Sequence, residues 1–135
     1  MDFTVERRVK AGPAKVWSVL SDFARSPGGG VEVRVVEAGA DDGKNMVRDL
    51  RIGLLGVRER IEEVVPGESF SYSILRGAPT RSYRGKGRIA PGDGETVITW
   101  SGDFVPLVPG TGRLVRLLAR RSVNRYLDAV LAKVG

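Results

Sequence analysis

GRLVRLLARRSVNRYLDAVLAKVG, residues 112–135, decides how the rest of the chain must be arranged. On a helical wheel Val115, Leu118, Ala119, Val123, Tyr126, Leu127, Val130 and Val134 share one arc, and Arg113, Arg116, Arg120 and Arg125 share the other. An amphipathic helix of this length cannot bury its apolar arc alone and needs a broad apolar surface beneath it.

The preceding segments offer such a surface. FTVERRVKA alternates Phe3, Val5 and Val9 with polar residues, the period of a half-buried strand, with Arg7 the exception on its inner face. Gly12-Pro13 breaks that strand and puts a proline in the first turn of a short helix. Val16, Trp17, Leu20, Phe23 and Ala24 lie on one face of that helix, and Ser26-Pro27 with Gly28, Gly29 and Gly30 stops it. Trp17 and Phe23 read as wedges between helix and sheet. Then come VEVRVVEA, with Val31, Val33 and Val35 on one side, and NMVRDLRIG, VRERIEEVV, SFSYSIL, SYRGKGRI and TVITWSGDF. The order is strand, helix, six strands, long helix. It suits one twisted antiparallel sheet wrapped around the last helix, an α+β layout in a single domain spanning residues 1–135.

Composition narrows the chemistry. The 135 residues are 41% hydrophobic and 28% charged, with a net charge of +6, as in a globular chain able to bury roughly 65–70% of its unfolded surface. There is no cysteine and no histidine. Disulfides, His-based nucleophile systems and the usual zinc, iron and copper ligand sets are therefore excluded, and no metal or other cofactor is expected. No phosphate-binding glycine loop is present. MDFTVERRVK lacks the pattern of a signal peptide, and no segment approaches the ~20 apolar residues of a membrane span, so a cytoplasmic address is expected.

PAKVWSVLSDF, VRERIEEV, FSYSI, GDGETVITWSGDFVP and the C-terminal helix together resemble the START-like, polyketide-cyclase/dehydrase and lipid-transport superfamily, SRPBCC. The resemblance runs over nearly the whole chain, carried by the order and spacing of the motifs. It implies a helix-grip fold, a seven-stranded antiparallel curved sheet gripping the last helix around an internal cavity for a hydrophobic small molecule. It does not imply one reaction. Many relatives carry an aromatic, often with histidine, after the first helix, whereas SPGGGVEV stands here. That departure reads either as a wider or more mobile cavity mouth at Gly28 to Gly30 or as a shortened loop.

Alternation assigns the cavity face independently of the resemblance. A hairpin turn centred between Leu54 and Leu55 places Ile52 opposite Val57, Leu50 opposite Glu59 and Arg48 opposite Ile61. Parity then carries Phe70, Tyr72, Ile74, Tyr83 and Ile89 inward, with Trp100 and Phe104 taken as inward on the last strand. Tyr72, Tyr83 and Trp100 each join an apolar body to a polar tip, which suits either core or cavity lining. Arg48 and Glu59 are the two charges forced onto this otherwise apolar face, as diagonal neighbours able to pair inside the cavity. The expected ligand contacts are Arg48, Leu50, Glu59, Ile61, Tyr72, Tyr83, Trp100, Phe104, Leu118 and Ser122, with Tyr126 a further candidate.

Three functions fit. One is binding or transport of a lipid, polyketide, quinone or isoprenoid without covalent chemistry. The second is a metal-free cyclase or dehydratase in which Glu59 or a tyrosine moves protons. In the third, the basic face with Arg113, Arg116, Arg120 and Arg125 contacts an anionic membrane or an acidic protein. No aromatic interleaves that face to stack bases, which argues against nucleic acid. Binding leads, because no catalytic constellation is complete.

Overall fold

The computed structural model describes residues 2–135. The elements are β1 (Phe3–Val9), α1 (Pro13–Leu20), β2 (Val31–Glu37), β3 (Val47–Ile52), β4 (Leu55–Val65), β5 (Ser69–Arg76), β6 (Thr80–Pro91), β7 (Thr96–Pro106) and α2 (Gly112–Val134). All seven strands form one antiparallel sheet in the order β1-β7-β6-β5-β4-β3-β2. Strands β2 to β7 follow one another as a meander, and β1 joins beside β7. No helix among the described residues is long and apolar enough to cross a membrane.

Helix α2, about 35 Å long, lies on the concave face. Val115, Ala119, Val123, Tyr126, Leu127, Val130 and Val134 of its apolar arc are buried. Arg7, inward on β1 as its position required, reaches α2, where its guanidinium meets Asp128 at 2.7 Å and Asn124 Oδ1 at 3.3 Å. Helix α1 starts at Gly12 with Pro13 in the first turn and buries Val16 and Leu20. Phe23 is buried beyond its end, while Trp17 is only half-buried against the core.

Three expectations need correction. The β3–β4 loop is Gly53-Leu54, with Ile52 paired to Leu55, Leu50 to Val57 and Arg48 to Glu59. Gly53 adopts φ +62°, the left-handed conformation that a two-residue hairpin loop demands. The pairing thus differs by two residues from the expected register, which preserves every inward and outward assignment but makes Arg48 and Glu59 direct partners.

Leu118 is 41% exposed instead of packed on the sheet, because the N-terminal half of α2 spans an open cavity. Val35 keeps the side it shares with Val31 and Val33, opposite Arg48, yet is 38% exposed, next to an irregularity in the β2–β3 pairing. The glycine run does not border the cavity mouth. It carries the chain across α2, where a methyl group on Gly29 would lie 3.0 Å from the Ala129 Cβ, and the backbone takes φ +96°, +61° and +81° at Gly28, Gly29 and Gly30.

Candidate functional site

Between the N-terminal half of α2 and strands β3 to β7 lies a cavity of about 550 Å³, within the usual range of small-molecule sites. Two sequence features keep it from filling. The inward positions of β6 after Tyr83 are Gly85 and Gly87, and the rings of Tyr72 and Phe70 lie flat across them from β5. A methyl group at Gly87 would sit 2.7 Å from the Phe70 ring, and one at Gly85 would collide with the Tyr72 ring. The rings are then locked edge-on by Trp100, at centroid distances of 5.2 Å to Phe70 and 5.7 Å to Tyr72. The aromatic layer thus forms the floor of the cavity while its roof is α2.

At the inner wall Arg48 and Glu59 form a buried ion pair, with side chains only 2% and 5% exposed. Arg48 Nε and Nη2 both reach Glu59 Oε1 at 2.7 Å. Arg48 Nη1 donates to the Phe23 carbonyl at 2.8 Å and to the Tyr126 hydroxyl at 3.4 Å. The Phe23 and Tyr126 rings each approach the guanidinium carbon to 5.6 Å. Burial by itself disfavours the cation, but the Tyr126 hydroxyl and the Glu59 carboxylate outweigh it and leave the Arg48 pKa raised. The arginine is a structural cation, held by Glu59, Phe23 and Tyr126 and bordering the cavity.

A second polar chain crosses the floor. Trp100 Nε1 donates to the Tyr72 hydroxyl at 3.0 Å, and the Tyr72 ring lies 6.1 Å from that of Tyr83. Burial pushes the Tyr72 hydroxyl well above the ordinary phenol range and that of Tyr83 up to about 12. Both phenols therefore stay protonated at neutral pH and act as hydrogen-bond donors, not bases.

Of the residues singled out in the sequence, the cavity brings together Arg48, Leu50, Glu59, Tyr72, Tyr83, Trp100, Leu118, Ser122 and Tyr126. Two lie outside its lining. Ile61 is wholly buried in the core, two residues beyond Glu59 along β4. Phe104 stacks on the far side of Tyr83, with ring centroids 6.3 Å apart and planes 14° from parallel. The cavity opens where its lining is exposed, at Leu54 of the β3–β4 hairpin, Pro79 before β6, and Leu118, Arg121 and Arg125 of α2. Sequence reading missed Leu54, Arg121 and the solvent-exposed leucines beside them; a leucine at a hairpin tip was their available signal. Arg125, read as solvated, lies against the hairpin, with Nη1 2.8 Å from where a methyl group on Gly53 would stand. Arg120 donates to the Thr4 carbonyl at 3.2 Å, away from the mouth.

A second depression, on the convex face, has Arg34, Asp49, Arg51, Arg58 and Arg76 around it. Asp49 bridges Arg34 at 2.9 Å and Arg58 at 2.8 Å, which reads as a solvated charge lattice.

A family model described as polyketide cyclase / dehydrase and lipid transport matches residues 1–135. The fold is similar to that of the protein XoxI from Bacillus cereus, with 21% identity and a TM-score of 0.78 over 96% of this chain and 92% of that one. A START superfamily protein from Mycobacterium smegmatis has 17% identity and a TM-score of 0.78, covering 98% of this chain and 95% of that one. Norcoclaurine synthase from Thalictrum flavum, in complex with dopamine and hydroxybenzaldehyde, has 16% identity and a TM-score of 0.77, covering 98% and 84% respectively. No curated protein matches the sequence.

Proposed function

The chain belongs to the polyketide cyclase/dehydrase and lipid transport family, and from that membership we propose that it binds an apolar small molecule in its cavity and carries or presents it without covalent chemistry. The observation that carries this reading is a 550 Å³ cavity, open at one end, whose walls are mostly aliphatic and aromatic. Lipids, polyketides, quinones and isoprenoids match that lining.

Catalysis of the cyclase or dehydratase type finds weaker support. A tyrosine base is disfavoured because Tyr72 and Tyr83 are held protonated, which leaves Glu59 as the general-base candidate, without a second titrating partner free to act with it. Native mass spectrometry of protein purified from its own host tests the binding reading. A copurified apolar molecule, displaced by 1-anilinonaphthalene-8-sulfonate, is the expected result. A ligand-free protein whose thermal midpoint no apolar probe raises would refute it.

A second reading concerns the mouth, which we propose docks on an anionic lipid surface while cargo is exchanged. Leu54 at the hairpin tip is fully exposed, and Leu114, Leu117 and Leu118 on the first turns of α2 are 57%, 52% and 41% exposed. Arg121 and Arg125 continue the same helical stripe one and two turns later, spaced to lie at headgroup depth when the leucines dip in. Of the basic residues read from the sequence, Arg113 and Arg116 flank this stripe. Cosedimentation with phosphatidylglycerol vesicles, but not phosphatidylcholine vesicles, is expected, and Leu114→Ser/Leu117→Ser should abolish it. Equal recovery of wild type and variant would remove this reading.

A further inference from the structure

Glu59 offers one oxygen that the protein does not use. Oε1 takes both Arg48 Nε and Arg48 Nη2, whereas Oε2 accepts no hydrogen bond from any described residue. No described buried side-chain nitrogen or oxygen lacks a partner, so Oε2 is not sealed in the wall. Glu59 is almost wholly shielded from bulk solvent and lines the cavity, and Oε2 is therefore open to the cavity itself. Its charge partner is already neutralised, because Arg48 pairs with Glu59, donates to the Phe23 carbonyl and the Tyr126 hydroxyl, and has two rings against its guanidinium. The other polar tips reaching the lining are neutral hydroxyls, among them those of Tyr83, Tyr126 and Ser122.

The inner end of the cavity thus presents a bare carboxylate oxygen, neutral O–H groups and no cation without its own carboxylate. A carboxylate or phosphate placed there meets like charge with only neutral hydroxyls to compensate, at the cost of its own hydration. An uncharged hydroxyl fits both, donating to Oε2 and offering its oxygen to a donor.

Resting on the binding function proposed above, we propose that this cavity selects uncharged apolar molecules whose inward end bears a hydroxyl, an alcohol, phenol or enol, and rejects the corresponding carboxylates. Arg48 already has its carboxylate in Glu59, and the lining cations with no carboxylate partner among the described residues, Arg121 and Arg125, stand at the mouth. An acid can be held there by its head, but not at the depth of Glu59.

Calorimetric titration with three compact probes of one shape, naphthalene, 2-naphthol and 2-naphthoate, tests this at neutral pH. The expected result is 2-naphthol binding at least tenfold more tightly than either companion. Tyr83→Phe, which keeps the ring and its packing, should reduce 2-naphthol affinity several-fold and leave naphthalene unchanged. Glu59→Gln removes the charge and should narrow the gap between naphthol and naphthoate; if it fails to fold, the Tyr83→Phe comparison carries the test. Equal or tighter binding of 2-naphthoate, or naphthalene matching 2-naphthol, would overturn the hydroxyl preference while leaving a binding cavity in place. Failure of all three probes to bind would overturn the cavity function and this preference with it.

Discussion

Arg48 and Glu59 face each other directly across β3 and β4, and two nitrogens of the one hold a single oxygen of the other at 2.7 Å. Removing either partner strands the other charge in the interior, which is far more costly than never having placed the pair there.

Arg48→Leu or Glu59→Leu alone should therefore lower stability by about 3–5 kcal/mol, and the double replacement by much less than the sum. Denaturant midpoints of the four proteins check this. Additive losses below about 1 kcal/mol, as for surface pairs, would mean that the pair is solvated.

Raising the pH should destabilise the fold in a defined window. The Tyr83 hydroxyl is raised by burial from 10.0 to about 12, so the folded state holds this proton more tightly than the unfolded chain. The resulting stabilisation is complete below pH ~10 and is lost as pH rises through ~12, on the order of 2–3 kcal/mol. Ultraviolet titration of phenolate should show at least two late-titrating tyrosines, Tyr72 and Tyr83, and Tyr83→Phe should flatten the stability loss.

Gly85→Ala and Gly87→Ala should each cost about 1–3 kcal/mol by pushing the Tyr72 or Phe70 ring off the strand and toward the cavity. Thermal melts measure the loss. Neutral effects would show that the aromatic floor has slack.

Leu127→Ala, at a wholly buried site, should destabilise by about 2–5 kcal/mol. Leu118→Ala, at the half-open rim, should cost under about 1 kcal/mol while weakening probe uptake. Similar losses at both sites would place Leu118 in the core after all.

Periodicity in the sequence determined the layers. Strand alternation put Leu50, Glu59, Tyr72 and Tyr83 on one face, and the 3.6-residue period of α2 put Val123, Tyr126 and Leu127 toward them. Both patterns are local consequences of backbone geometry, and they survived a hairpin register that was off by two because a two-residue shift preserves parity. Tertiary structure alone decided what parity cannot encode. Whether Arg48 and Glu59 stood diagonally or face to face depended on which residue took the left-handed turn at Gly53. Whether the inward face closed into solid core or left a cavity depended on rings from β5 lying across glycines of β6, a contact between strands that neither segment signals alone. The position of the mouth followed from where α2 parts from the sheet. Leu118 and Leu127 share one helical arc in the sequence, yet one borders water and the other the core, because burial is set by what stands opposite a residue and not by the residue's own period.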